Sequence, residues 1–221
     1  FLGFSARPLP GTLDALSPPR PTETPLPMRD GVSPSCVVLP AHHAAPLLDR
    51  LATHLPVVGR DEWLARMLAG DVVDAQGQAA HPEQVVKGSV RLFYYRHLPN
   101  EPELPFEHEV LYQDEHLLVA DKPHFMPVTP TGRYVQQSLL VRLKRQLGLP
   151  DLSPLHRIDR DTAGLVLFSV QPRTRGAYQA LFRERSMAKT YDAVAPWNAD
   201  IPFPREHRSR MEESPQFFRM Q

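Results

Sequence analysis

Cysteine is all but missing: Cys36 is the single one, which excludes a disulfide framework and a cysteine-rich zinc site. Long apolar runs are missing too, and none approaches the roughly 18 residues of a membrane span. The ten histidines are scattered, with no two-histidine helical pair flanking a glutamate. The first residues lack the basic-then-apolar order of a signal peptide. These absences make a reducing, cytoplasmic setting the expectation. A net charge is absent as well, since 25 Lys+Arg balance 25 Asp+Glu, and that alone speaks against a nucleic-acid partner.

The distribution of charge says otherwise. Residues 141–221 hold 14 of the 25 basic side chains and 9 of the 25 acidic ones, leaving 11 and 16 for residues 1–140. One half can therefore present a basic surface although the whole is neutral. Proline is in excess at 25, and Pro8, Pro10, Pro18, Pro19, Pro21, Pro25, Pro27 and Pro34 crowd the start. With no apolar period there, residues 1–34 are expected to be a disordered extension. Phe1 stands where methionine would, and Met28 opens the first segment that resembles an ordinary start. Residues 1–27 are therefore expected to be upstream sequence or part of a longer chain. The 221 residues suffice for one medium domain, or for a small module and a larger one.

Leu47, Leu48, Leu51 and Leu55 repeat at helical spacing until Pro56. Asp61 is placed to cap a second helix, with Trp63, Leu64, Met67 and Leu68 on its apolar face and Gly70 after its end. Val72 and Val73, then residues 89–95, read as two strands with Gly77 in a turn between them. Two helices and a hairpin over residues 35–99 resemble an S4-type RNA-binding module, although its usual basic residues are few. A small packing module is the alternative.

Residues 100–106 read as a linker. Beyond it, residues 110–112 and 117–120 predict two strands around a turn at 113–116, and Asp121-Lys122-Pro123 ends the second. Leu139, Leu140, Leu143 and Leu147 mark one face of a helix closed by Gly148 and Pro150. Residues 165–170 predict a buried strand. Residues 173–185 return to helical period, with Ala177, Tyr178, Leu181 and Phe182 inside and Arg175, Gln179 and Arg183 outside. Residues 190–195 predict a further strand.

Between the leucine helix and the buried strand stands His156-Arg157-Ile158-Asp159-Arg160-Asp161-Thr162-Ala163-Gly164. Physically this can be a turn, with Asp161 and Thr162 meeting backbone amides and Gly164 taking an unusual dihedral. It can also be a site where Asp159 and Asp161 hold a divalent metal, against which the flanking arginines compete.

The segment His156-Arg157-Ile158-Asp159-x-x-Thr162-Ala163-Gly164 resembles the signature His-Arg-Leu-Asp-x-x-Thr-Ser-Gly of the RluA family of RNA pseudouridine synthases. Ile158 and Ala163 depart mildly from its commonest form. Residues 110–123, VLYQDEHLLVADKP, resemble the family's strand–turn–strand before the active site, and Lys189-Thr190-Tyr191 resembles its later Lys-x-Tyr segment. The initial His156, rather than glycine, favours this family over relatives that modify small-subunit rRNA. The family's last block, a Thr-Gly-Arg-like stretch leading to His-Gln, is not found between Tyr191 and Gln221, so the expectation is either a chain truncated before it or an incomplete site.

The resemblance implies isomerisation of uridine to pseudouridine in structured RNA, either rRNA or tRNA. It implies no cofactor, no metal, no membrane and no obligate protein partner. It assigns the catalytic carboxylate to Asp159, either as nucleophile or as base toward the sugar. Arg157 would fill the gap left by the flipped-out uridine, and Tyr191 would stack on the uracil. In an extended segment Arg157 and Asp159 share a side, so the arginine would favour the ionised carboxylate. Arg142, Lys144, Arg145, Arg160, Arg173, Arg175, Arg183, Arg185 and Lys189 are candidates for phosphate contacts.

The expected fold is α+β, a catalytic domain over 107–221 with a mixed, largely antiparallel sheet, preceded by the S4-like module. A non-catalytic RNA-binding protein on the same scaffold, or a metal-dependent hydrolase using Asp159 and Asp161, are the alternatives.

Overall fold

The computed structural model describes residues 24–41, 45–96 and 100–202, then 204–206, 208, 210 and 212. Residues 1–23 of the expected extension lie outside these. Two compact units divide the chain, residues 1–187 and 188–221.

The larger unit holds two antiparallel sheets, each with its own core. In the first, β1 (Ser35–Leu39) and β2 (Val72–Asp74) flank β3 (Val90–Tyr94). Helices α1 (Leu47–His54) and α2 (Arg60–Leu68) cover it. Trp63, fully buried, meets the ring of Tyr94 edge-on at 4.9 Å, among Leu39, Leu47, Leu48, Leu51 and Leu92. Arg50, a buried cation on α1, donates to the carbonyls of Val86 and Pro40 at 2.6 Å and Gly88 at 3.3 Å. It thereby fastens the loops to the helix.

Several expectations are corrected here. Strand β1 has no forerunner in the sequence pattern, because Cys36-Val37-Val38-Leu39 shows no clean alternation. The second helix begins at Arg60 with Gly59 as its cap residue, which puts Asp61 in the first turn. The turn at Gly77 (φ +79°) closes a local bridge from Val73 to Ala79, and a longer stretch leads on to β3. Residues 29–32, in the expected extension, form a tight turn with reciprocal backbone bonds of 2.8 and 3.0 Å. Its order comes from Val32, which packs against Val135 and Val141.

The second sheet runs in the order β4 (Glu109–Gln113), β5 (Leu117–Lys122), β7 (Gly164–Ser169), β6 (Ser153–Pro154). The expected hairpin is there. Asp114 shapes its turn by accepting from the amides of His116 and Leu117, each at 2.7 Å, and from the Tyr112 hydroxyl at 2.7 Å. Every named ladder among the described residues is antiparallel, in keeping with the largely antiparallel sheet expected from sequence and without the parallel pairing that a mixed one would add. Successive strand residues face opposite sides, and on β5 and β7 the pairs Leu118–Phe168 and Ala120–Val166 bury one face completely. The run at 165–170 therefore alternates: Leu165 remains 46% exposed.

Helix α3 (Leu139–Leu147) closes this core with Leu139 and Leu143, and ends at Gly148 in the left-handed conformation. Helix α4 (Pro172–Arg183) follows β7. The linker at 100–106 has no regular structure but is strapped to the fold. Glu101 accepts from the amides of Val135 and Gln137 at 2.7 Å and of Gln136 at 2.9 Å, and Leu104 joins the core.

No strand forms at 190–195. A strand needs a ladder partner for its backbone groups, and none of the named ladders includes this stretch. Among the described residues no helix is long and apolar enough to cross a membrane.

Candidate active site

The alternation on β5 that buries Leu118 and Ala120 also turns Lys122 inward, opposite Gly164 of β7. A fully buried ammonium requires its donors to be met, and three carbonyls meet them: Met126 at 2.7 Å, Pro123 at 2.9 Å and Arg160 at 3.1 Å. Burial lowers the lysine pKa from 10.5 to about 8, while the charges of Asp161 and Asp159 act in the opposite direction. Lys122 therefore underpins the loop that follows β6. Sequence reasoning used it only to end a strand, because lysine is seldom buried and its burial follows from which face of β5 turns inward.

That loop runs from His156 to Ala163. At its start, the Leu167 amide donates to His156 Nε2 at 3.2 Å, and the His156 ring stacks on Phe182 of α4 with centroids 5.0 Å apart. Ile158 is buried in the second core, while Arg157 and Asp159 on either side are exposed. This out–in–out order places the two charged residues on one side, as an extended segment should. The Asp159 carbonyl then accepts from the Thr162 amide at 3.2 Å, turning the chain, and Gly164 enters β7 at φ +119°.

The Asp159 carboxylate makes no side-chain hydrogen bond or ion pair among the described residues, and neither does Arg157. The expected help of Arg157 to Asp159 is thus not formed as a contact. Asp161 differs: its Oδ1 accepts from Arg160 Nε at 2.9 Å, and its carbonyl is bound by His124 Nδ1 at 2.7 Å. Of the two exposed carboxylates, Asp159 is the one without an ion pair among the described residues. Asp161 is held by the cation that was expected to compete with a metal.

The remaining basic candidates fall into two groups. Arg142 donates to Phe106 at 2.7 Å, to Leu104 at 2.8 Å and to Gln137, so it clamps the linker. Lys144 is 7% exposed and bonds Ser33 Oγ at 3.2 Å, with burial lowering its pKa. Arg175 donates to the Asp151 carbonyl at 2.7 Å. These three act within the fold. Arg145, Arg160, Arg173, Arg183 and Arg185 are exposed in the larger unit. Lys189 and Tyr191 belong to the second unit, where Tyr191 is 57% exposed.

Comparison with known proteins gives a consistent result. Residues 116–218 match the family model described as RNA pseudouridylate synthase. An uncharacterized RNA pseudouridine synthase from Synechocystis is 34% identical over 135 residues, 61% of this chain and 46% of the relative. The tRNA pseudouridine synthase C of Vibrio parahaemolyticus is 34% identical over 92 residues, covering 41% of this chain and 37% of that protein. The solved structure of human RNA pseudouridylate synthase domain containing 4 is 30% identical and covers 35% of this chain and 30% of that one, with a TM-score of 0.30. The chain spans less than half the length of the Synechocystis and Vibrio relatives.

Proposed function

We propose that this chain, whose residues 116–218 match the family model described as RNA pseudouridylate synthase, converts uridine to pseudouridine in rRNA or tRNA, with Asp159 as the reacting carboxylate. The observation that carries this is the contrast between the two aspartates: Asp161 is paired with Arg160, and Asp159, exposed on a loop anchored by a buried lysine, has no ion pair among the described residues.

The reaction is an isomerisation. The bond from ribose C1′ to uracil N1 breaks, the detached base turns, C1′ bonds to C5, the C5 proton leaves and N1 gains one. No electrons are exchanged with an outside reagent, so no cofactor or metal is called for. An ionised carboxylate beside the ribose supplies either a nucleophile for C1′ or a base for a ribose proton. Arg157, on the same side as Asp159, would enter the stack when the target base is extruded. Tyr191 is assigned to stacking on the uracil. Arg145, Arg160, Arg173, Arg183, Arg185 and Lys189 would meet phosphates.

The same reading makes residues 35–99 an S4-like RNA-binding module and residues 107–221 the catalytic part, in a cytoplasmic protein without an obligate protein partner. The two helices and three-stranded sheet over residues 35–94 support the module assignment.

The test is a tritium-release assay on bulk RNA with the full-length protein. Asp159→Asn should abolish product while leaving RNA affinity within a few-fold, and Asp161→Asn should do much less. Full activity in Asp159→Asn would end the assignment. RNA binding without any turnover in the wild type would leave a binding protein only.

A further inference from the structure

Three aromatic rings meet beside the Asp159 loop outside the buried cores. Phe125 is 50% exposed and Phe106 37%. Their centroids lie 5.9 Å apart at a 44° tilt, and His124 lies 5.9 Å from Phe125 on its other side. The His124 ring holds the carbonyl of Asp161 at 2.7 Å, two residues from Asp159.

Phe125 is also strained. Its φ is +65°, the left-handed region in which a β-carbon crowds the following carbonyl and which glycine occupies freely. Burial does not compensate, because half of the side chain is left in water. Strain of this kind persists where the surrounding structure imposes it and often accompanies function. Here the surroundings do impose it: the Lys122 ammonium binds the carbonyls of Pro123 and Met126 on either side, and Met126 is fully buried. The backbone that carries the exposed ring is thus fixed on both sides.

We propose that Phe125, supported by His124 and Phe106, is a stacking platform for an unpaired RNA base next to the target uridine. An aromatic ring recognises the π-face of any base, and single-stranded loops are where bases are free to stack. Arg157, exposed and without an ion pair among the described residues, and Arg160, exposed but shared with Asp161 at 2.9 Å, supply positive charge on the adjoining loop for the phosphates that accompany such a base. An apolar side chain of a protein partner would have no need of those charges. The platform rests on the proposed RNA substrate and adds a subsite to it.

The test compares binding of a synthetic RNA stem-loop and of a fully paired duplex at one salt concentration, using the full-length protein. Phe125→Gly should keep or raise the thermal midpoint, since glycine suits φ +65°. It should also weaken stem-loop binding about 5- to 100-fold while leaving duplex binding unchanged. Phe125→Trp should recover the stem-loop affinity. Unchanged stem-loop binding in Phe125→Gly would overturn the proposal. So would an equal loss on the duplex, or a fall in thermal midpoint that accounts for the lost binding. Wild-type protein that binds the stem-loop through Phe125 yet forms no pseudouridine would leave the platform standing and remove the proposed reaction.

Discussion

The Lys122 ammonium donates to the carbonyl oxygen of Arg160 at 3.1 Å, across 38 positions of sequence. This single bond joins the end of β5 to the loop that presents Asp159. Its donor is buried because Leu118, Ala120 and Lys122 alternate onto the same face of the strand.

Lys122→Met keeps the length of the side chain but leaves the carbonyls of Pro123, Met126 and Arg160 without their donor. Stability should fall by about 1–3 kcal/mol, the usual cost of unmet buried polar groups. Turnover should fall more than RNA affinity, because the loop bearing Asp159 loosens. A raised urea midpoint in this variant would show instead that burying the ammonium costs more than its three bonds contribute.

Stability should also depend on pH through the same group. Burial lowers the Lys122 pKa from 10.5 to about 8. Below about 8 both folded and unfolded chains carry the proton, and the cost of burying the charge is constant. Between about 8 and 10.5 the unfolded chain binds more protons than the folded one, so this contribution grows more favourable as pH rises. Urea midpoints measured across that window should rise more, or fall less, in the wild type than in Lys122→Met. Parallel curves would refute the assignment.

Glu101 bonds three successive amides just before α3. Glu101→Gln retains one acceptor oxygen and should cost about 1–2 kcal/mol, and Glu101→Ala should cost more. Amide exchange at Val135, Gln136 and Gln137 should accelerate in both. Unchanged exchange would mean that the linker strap does not hold these amides in solution.

The two arginines at the start of α4 should separate. Arg173 is exposed, and its bond to Gln171 is 3.4 Å long. Arg173→Ala should weaken RNA binding and reduce its salt slope by about 1, with stability unchanged. Arg175 is tied to the Asp151 carbonyl, so Arg175→Ala should lower the thermal midpoint. Equal salt slopes for wild type and Arg173→Ala would remove this surface from the RNA track.

Much of the second sheet and its loops was legible in sequence because their signals are local. The hairpin follows from two β-rich runs around Asp114, and α3 from four leucines with Gly148 behind them. The short segment from His156 to Gly164 marked the candidate site through its resemblance to the RluA signature, and the unusual dihedral expected at its glycine is a positive φ at the entry to β7. Where signals were not local, they misled. Residues 190–195 have the composition of a strand, but pairing is decided elsewhere in the chain. Lys144 reads as a surface charge on α3, yet the chain near Ser33 covers it.

Residue order by itself determined the elements around the site, because helix and strand periods and a turn's glycine act over a few residues, while Asp159 as the candidate carboxylate followed from the resemblance of residues 156–164 to the RluA signature. Only the tertiary structure decided which charges remain available. Arg160 takes Asp161, Lys122 takes three carbonyls, Arg142 takes the linker, and Asp159 and Phe125 are left facing solvent. The physical reason is that hydrogen bonding and desolvation depend on what lies within about 3 Å in space, and for Lys122 and Arg160 that neighbour is 38 residues away in sequence.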